Sequence, residues 1–330
     1  MRKHHAGFLL VILSVVMVMA AACAPKPQPS TPTAEPIATL PFPTPTLQTI
    51  QLKDGLGNLI ELDHPAQRIV SLAPSNTEIL FAIGAGTQVV GRDSFSDYPT
   101  EAQQIKDIGG GFSQLNTEEI VALQPDLVLA SALSSTDQVK ALQDLGLKVF
   151  YLANPTDFDG LYINLLTVAT LTGRTKEAQE LINSLKNRVQ AVETKMESVE
   201  TRPLVFYELD STQPDAPWTA GPNTFIDTLI GMSGGTNFGH ELKGDWVQVS
   251  IEELLRREPD LILLGDATWG GVTPEAVATR PGWDKLKAVQ NGQVFVFDDN
   301  LVSRPGPRLV DGLEAMAALI QPQLFPTPTP

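Results

Sequence analysis

Four large aromatic residues stand where a core has no obvious use for them. Phe95 lies in Ser94-Phe95-Ser96-Asp97-Tyr98, and Phe112 follows three consecutive glycines. Trp218 lies in Pro217-Trp218-Thr219-Ala220-Gly221, and Trp246 precedes a helix-start signal at Ser250. All four fall on loops at strand ends. Flat rings gathered there suit a large, partly apolar, ring-rich ligand. Taken singly, each ring serves equally well to pack its own loop. Two acidic pairs give a second signal. Asn116-Thr117-Glu118-Glu119 and Ser250-Ile251-Glu252-Glu253 each read as a cap followed by acidic helix positions. Glu118 and Glu252 fall at the second helical position, where negative charge suits the helix dipole. Stabilising helix starts is a sufficient role for all four glutamates.

Catalytic chemistry finds little support. Gly231-Met232-Ser233-Gly234-Gly235 has the spacing of a nucleophile elbow, which needs a strand before the serine and a helix after it. Here a helix precedes, and the glycines read as its C-cap. His240 is the one histidine downstream, with no nearby acid evident in the sequence. His64 and His240 are too few for a multi-ligand zinc or manganese site. The single cysteine, Cys23, rules out a thiolate cluster and a disulfide framework. There is no phosphate-cradling Gly-rich Lys loop. The chain is read as a non-enzyme with no resident metal or cofactor.

The elements that must position these residues alternate. Arg68 to Pro99 opens with a β-branched run, Ile69–Leu72, and turns at Ala73-Pro74-Ser75. Ser75 or Asn76 can cap a helix with Glu78 in its first turn. Ile79, Leu80, Ala82 and Ile83 give it an apolar face, and Val89-Val90-Gly91 starts a second strand. A strand–helix–strand unit points to a parallel sheet. Thr117–Leu123, Leu127–Ala130, Thr136–Leu145 and Leu147–Leu152 continue the alternation, and Ile50–Asp63 reads as a small hairpin. From Phe158 the period turns helical: Leu161, Leu165, Val168 and Ala169, then, after Gly173 and a cap at Thr175, Ala178 to Met196. The second half repeats the first. Ser250–Leu255 followed by Pro259-Asp260-Leu261-Ile262-Leu263 echoes Thr117–Val121 followed by Pro125-Asp126-Leu127-Val128-Leu129. Two lobes on one plan suggest a pseudo-two-fold molecule with a cleft between its halves, a common place for a small ligand.

The ends carry addresses. Arg2 and Lys3, an apolar run Phe8–Met19, Ala20-Ala21-Ala22 and Cys23 read as a signal peptide with a lipobox-like end; an ordinary secretory signal cleaved near Ala22 is the plainer alternative. Residues 24–49 and 326–330 are dense in Pro and Thr, without core periodicity, and read as an extended tether and tail. A formal charge of −15 disfavours nucleic acid as a partner.

Over roughly Arg68 to Leu319, most clearly in Arg68–Pro99, the chain resembles the iron-complex and vitamin B12 type substrate-binding proteins of ABC importers, cobalamin-binding members being the nearer match. The resemblance implies an α/β fold of two Rossmann-like lobes, each with a central parallel sheet, joined by a long α-helix with the ligand cleft between them. The implied boundaries are signal peptide 1–22, tether 23–49, N-terminal lobe 50–155, linking helix 156–200, C-terminal lobe 201–320 and tail 321–330. It implies ligand contacts at Phe95, Phe112, Trp218 and Trp246, and at Asn300 and Arg304 in Asp298–Arg304, where the arginine can meet amide, phosphate or chelate carboxylate groups. It implies docking of Glu118 and Glu252 onto arginines of a membrane permease, and lipid on Cys23 anchoring a monomer to the outer side of the cell membrane. The expected ligand is cobalamin or a related corrinoid. An iron–siderophore or haem complex is the alternative, and a hydrolytic or metal-dependent enzyme on the same scaffold is the alternative of another class. A loop around Thr268-Trp269-Gly270-Gly271 is expected to close over the cleft.

Overall fold

Strand β1 (Ile50–Lys53) and strand β2 (Leu59–Leu62) pair antiparallel, with Ile50 opposite Leu62. Ile60 and Leu62 are buried while Leu59 and Glu61 face out, the period of two that one covered face imposes. Asp54 ties the turn by accepting from the amides of Leu56 (2.9 Å) and Asn58 (2.8 Å). The computed structural model describes residues 49–111 and 114–325, all within one compact unit. The segments expected to be a signal peptide and tether up to residue 48, with Cys23, and also Phe112 and residues 326–330, lie outside the described residues.

The first lobe runs β3 (Ile69–Ser71), α1 (Pro74–Ala82), β4 (Val89–Arg92), α2 (Thr117–Ala122), β5 (Leu127–Ser131), α3 (Thr136–Asp144) and β6 (Val149–Leu152). Its strands pair in parallel in the order β4-β3-β5-β6. Two helices follow, α4 (Phe158–Thr172) and α5 (Thr175–Met196), separated by Gly173 in the left-handed conformation. The second lobe runs β7 (Leu204–Glu208), β8 (Trp218–Ala220), α6 (Phe225–Met232), β9 (Thr236–Asn237), β10 (Trp246–Gln248), α7 (Ile251–Arg257), β11 (Leu261–Leu264), α8 (Ala267–Gly270), α9 (Pro274–Ala278), α10 (Lys287–Gln290), β12 (Val294–Val296) and α11 (Leu309–Ile320). Its main sheet is parallel in the order β9-β7-β11-β12. Counted along the chain, both sheets have the order second, first, third, fourth. The repeat read from Pro-Asp-Leu is therefore a repeat of topology.

The repeat extends to backbone detail. Gln124 and Glu258, just before the two Pro-Asp pairs, both take positive φ (47° and 49°) as α2 and α7 end. Asp126 accepts from the amides of Gln67 (2.8 Å) and Arg68 (3.0 Å), and Asp260 from that of Leu204 (2.9 Å). Each aspartate thus ties the third strand of its lobe to the start of the first. The central strands β3, β5 and β11 are buried on both faces, as helix-covered parallel strands are. Alternate residues separate three cores, one inner core and one outer to each sheet. Ile69, Leu127 and Leu129 face inward and Val70, Val128 and Ala130 outward; Val205, Tyr207, Leu261 and Leu263 face inward and Phe206, Ile262 and Leu264 outward. The inward sets join α4, α5 and α11 in one continuous core shared by both lobes.

Several local expectations are corrected. Neither Ser75 nor Asn76 caps α1: Pro74 is its first residue, Ala73 holds the cap position, and Glu78 lies beyond the first turn. Proline suits a first helical position, where its missing N–H costs no bond. Asn76 Nδ2 instead donates to the carbonyls of Leu129 (3.2 Å) and Ala130 (3.1 Å) on β5. Thr175 is the first residue of α5, and Arg174 holds the cap position without a side-chain bond. The segment at Thr268 is the short helix α8, not a loop. Residues 321–325 pack on the second lobe, with Gln321 Nε2 donating to Gly234 O (2.8 Å) and Lys195 over the Phe325 ring (4.1 Å).

Candidate functional site: a cleft between the lobes

An open cleft of about 550 Å3 lies between the lobes. The first lobe contributes Ala132 and Leu133, just past β5, and Asn154–Thr156, just past β6. The second contributes Leu209 past β7, the start of α6 at Asn223–Ile226, Asp245 and Trp246, and the 302–305 segment. These are the carboxyl ends of the parallel strands. Both sheets reverse winding direction beside their first strand, so the cleft sits where open α/β sheets place ligands. Leu133 (67 % exposed) and Trp246 (51 % exposed) present apolar surface from opposite lobes.

Trp246 and Trp218 share one short ribbon. β8 and β10 pair antiparallel with Trp246 opposite Ala220 and Gln248 opposite Trp218. Opposed residues point to the same side, so the two tryptophans are diagonal neighbours on one exposed face. Phe95 is set on the first lobe by a different device. Its amide donates to the buried Asp93 (3.0 Å), which also accepts from Ser96 Oγ. Ser96 in turn joins Thr77 Oγ1 (2.8 Å), which donates to Ser71 Oγ (2.8 Å). The Phe95 ring lies on Gly111, whose φ of +65° and lack of Cβ are both required; a Cβ there would fall 1.8 Å from the ring. Of the expected ligand residues, Trp246 lines the cleft itself; Phe95, Trp218, Asn300 and Arg304 do not line it directly.

Asn300 and Arg304 are engaged within the protein. Asn300 Nδ2 turns back to Asp298 Oδ1 (2.9 Å). Arg304 reaches across to the first lobe, to Asp97 Oδ1 (2.5 Å) and Glu78 Oε1 (3.6 Å). Its flanking residues Ser303 and Pro305 do line the cleft. Beside it, Arg308 grips the buried Glu78 with two bonds (2.9 and 2.5 Å) and covers the Tyr98 ring at 4.0 Å. Two arginines of the second lobe thus meet two carboxylates of the first. Burial pushes the Glu78 carboxyl up, opposed by Arg308 and Arg304. Burial also raises Asp97, but the Arg304 bond and charge outweigh it and the net shift is downward. Sequence reasoning missed the Glu78–Arg308 pair. The partners are 230 residues apart and no local pattern joins them.

Glu118 and Glu252 are both exposed on the first turns of α2 and α7, and neither forms an ion pair among the described residues. Asn116 Oδ1 accepts from the Glu119 amide (3.0 Å) and Ser250 Oγ from that of Glu253 (3.3 Å). The third-position glutamates go elsewhere, Glu119 to Lys106 (3.4 Å) and Glu253 to Arg256 (2.5 Å). Each helix runs back along its sheet from the carboxyl end, so both glutamates stand at the cleft end of their lobes. Ser233 is buried and donates to Leu313 O (3.3 Å), a structural bond. His240 does have an acid, contrary to the sequence reading: Asp227 sits 3.0 Å from its Nδ1. The histidine is exposed, and no nucleophile joins the pair among the described residues. No group of three or more His, Cys, Asp or Glu among the described residues is arranged to hold a metal.

The pattern that defines the periplasmic binding protein family matches residues 69–301. An uncharacterised ABC transporter substrate-binding lipoprotein of Bacillus subtilis is 32 % identical over 281 residues, 84 % of this chain and 87 % of that one. A cobalamin-binding protein of Halobacterium salinarum is 31 % identical over 274 residues, 80 % of this chain and 72 % of that one. The apo periplasmic haem-binding protein of a Roseiflexus species superposes with a TM-score of 0.69 at 25 % identity, covering 78 % of this chain and 99 % of that one.

Proposed function

The chain belongs to the periplasmic binding protein family, and on that premise we propose that it is the extracytoplasmic, lipid-anchored binding protein of an ABC importer, capturing a corrinoid such as cobalamin. The observation that carries the reading is the cleft, lined by both lobes at the carboxyl ends of the strands and edged by Trp246. In this reading Trp246 and Trp218 give the ligand a flat apolar seat, Phe95 and Phe112 close on it from the first lobe, and Asn300 and Arg304 meet its polar groups. Exposed rings fixed on short strands lose little freedom on binding, which makes aromatic anchors effective. Glu118 and Glu252 then meet cations of the permease. Rim charges of this kind set encounter rate and orientation more than affinity. Cys23, with two or more acyl chains, holds the protein at the membrane, and no chemistry is done on the ligand.

Calorimetric titration of the domain from Leu47 onward with cyanocobalamin tests this. The expected result is saturable one-to-one heat, weakened at least about thirtyfold in Trp246→Ala, the loss of a central aromatic anchor. No heat would sink the corrinoid reading. A haem or ferric-siderophore ligand is the second reading, favoured by the likeness to the haem-binding protein, and the same titration with haemin separates it.

A further inference from the structure

Beneath the second lobe's side of the cleft lies a polar cluster with no part in the reading above. Glu208 ends β7 and Asp266 follows β11; they are 0 % and 1 % exposed. One arginine faces both: Arg280 donates to Glu208 Oε2 (2.6 Å) and Oε1 (3.0 Å), and to Ser211 Oγ (2.8 Å). Ser211 passes the connection on, its hydroxyl (2.5 Å) and amide (3.0 Å) both donating to Asp266 Oδ2. The other oxygen, Asp266 Oδ1, is buried without a hydrogen-bond donor, and the backbone brings the two residues together, the amides of Gly265 (2.9 Å) and Asp266 (3.4 Å) donating to Glu208 O. Further ionisable groups nearby are Tyr207, whose hydroxyl donates to Asp299 (2.6 Å), Asp299 itself, Asp298 beside it, and Arg304, whose charge acts on Asp299. No second cation reaches the pair among the described residues. Two ionised carboxylates against one guanidinium would leave a net negative charge in the interior, which is costly, and closely placed carboxylates resolve this by sharing one proton.

We propose that Glu208 and Asp266 form a one-proton site, and that loss of the proton loosens the 209–218 segment that carries Trp218. The proton is held by one of the two carboxyls, and Asp266 Oδ1 is the oxygen left without a donor. It is exchanged with water, so no other reactant is needed. Burial pushes the Glu208 carboxyl up to about 7 against the pull of Arg280, and Asp266 is raised by the same cause. The route to Trp218 is short. Ser211 hangs from Asp266, and the segment is closed by Leu209 N to Trp218 O (2.9 Å) and Trp218 N to Asp210 O (2.8 Å).

The sign follows from linkage. A carboxyl raised in the folded state makes the protein most stable below the unfolded value of 4.5 and costs stability as pH rises toward about 7. Other buried carboxyls share that slope, so the test is a difference. Melting temperature is measured from pH 5 to pH 8 for the native protein and for Glu208→Gln, whose amide keeps an acceptor for Arg280 and supplies a donor to Asp266. The variant is expected to lose several degrees less across the range and to melt higher than the native protein at pH 8. An identical slope in both overturns the proposal. Carbon-13 carboxyl NMR of the native protein provides a second arm that needs no stable variant. Glu208 or Asp266 should titrate well above pH 6, and the amides of Leu209 and Trp218 should exchange faster as it does, beyond the rise that hydroxide catalysis gives every amide. Both carboxyls fully ionised at pH 6, or amide exchange indifferent to the titration, would refute it.

Discussion

Glu78 shows how much a single side chain can hold. It is 3 % exposed and takes both bonds of Arg308 across the lobe boundary. Removing one partner of a buried pair leaves the other charge stranded, at a cost of about 3–5 kcal/mol. Arg308→Ala should therefore lose about that much in urea unfolding, while Asp97→Ala, a half-exposed partner, should lose about 1 kcal/mol or less. In the sequence Glu78 reads as a first-turn helix residue, because propensity rules see neighbours along the chain and not a partner at position 308. His240 repeats the lesson over a shorter span, its acid lying on α6. The aromatics are placed otherwise than expected: Trp218 and Trp246 lie on the short strands β8 and β10, not on loops, and of the described rings singled out only Trp246 lines the cleft.

At the scale of elements, the Pro-Asp-Leu repeat was readable because each aspartate does the same backbone work in its lobe. Asp126→Ala and Asp260→Ala should each cost about 1 kcal/mol in urea unfolding, alike in both lobes if the pseudo-symmetry is mechanical as well as topological. The two glutamate helices make a separate prediction. Glu118→Lys with Glu252→Lys should lower stability only by the helix-dipole contribution, about 0.3–1 kcal/mol per site, leave ligand heat unchanged, and slow association with the permease in detergent or nanodiscs, with reduced salt dependence. The helix caps were less legible. Pro74 starts α1 without a side-chain cap, and Asn76 is recruited by β5 instead. The ribbon of β8 and β10 has three residues a side, too short for alternation to register, yet it aligns the two tryptophans.

Across the whole molecule, the inward faces of both sheets meet α4, α5 and α11 in one core. A shared core and a 22-residue linking helix, about 33 Å long, resist large hinge motion. Solution scattering should accordingly show little change in radius of gyration when ligand is added. Alternating strands and helices, repeated once, made this architecture readable in advance; the ion pairs that pin the lobes together were not, since they form only when distant segments meet. The central claim is that one ligand is held by both lobes at once. Its most direct test is cyanocobalamin titration of two single variants, Leu133→Glu in the first lobe and Trp246→Ala in the second. The account predicts that each weakens binding while both proteins keep their melting temperature. Binding lost in one variant and untouched in the other would place the ligand on a single lobe and contradict it.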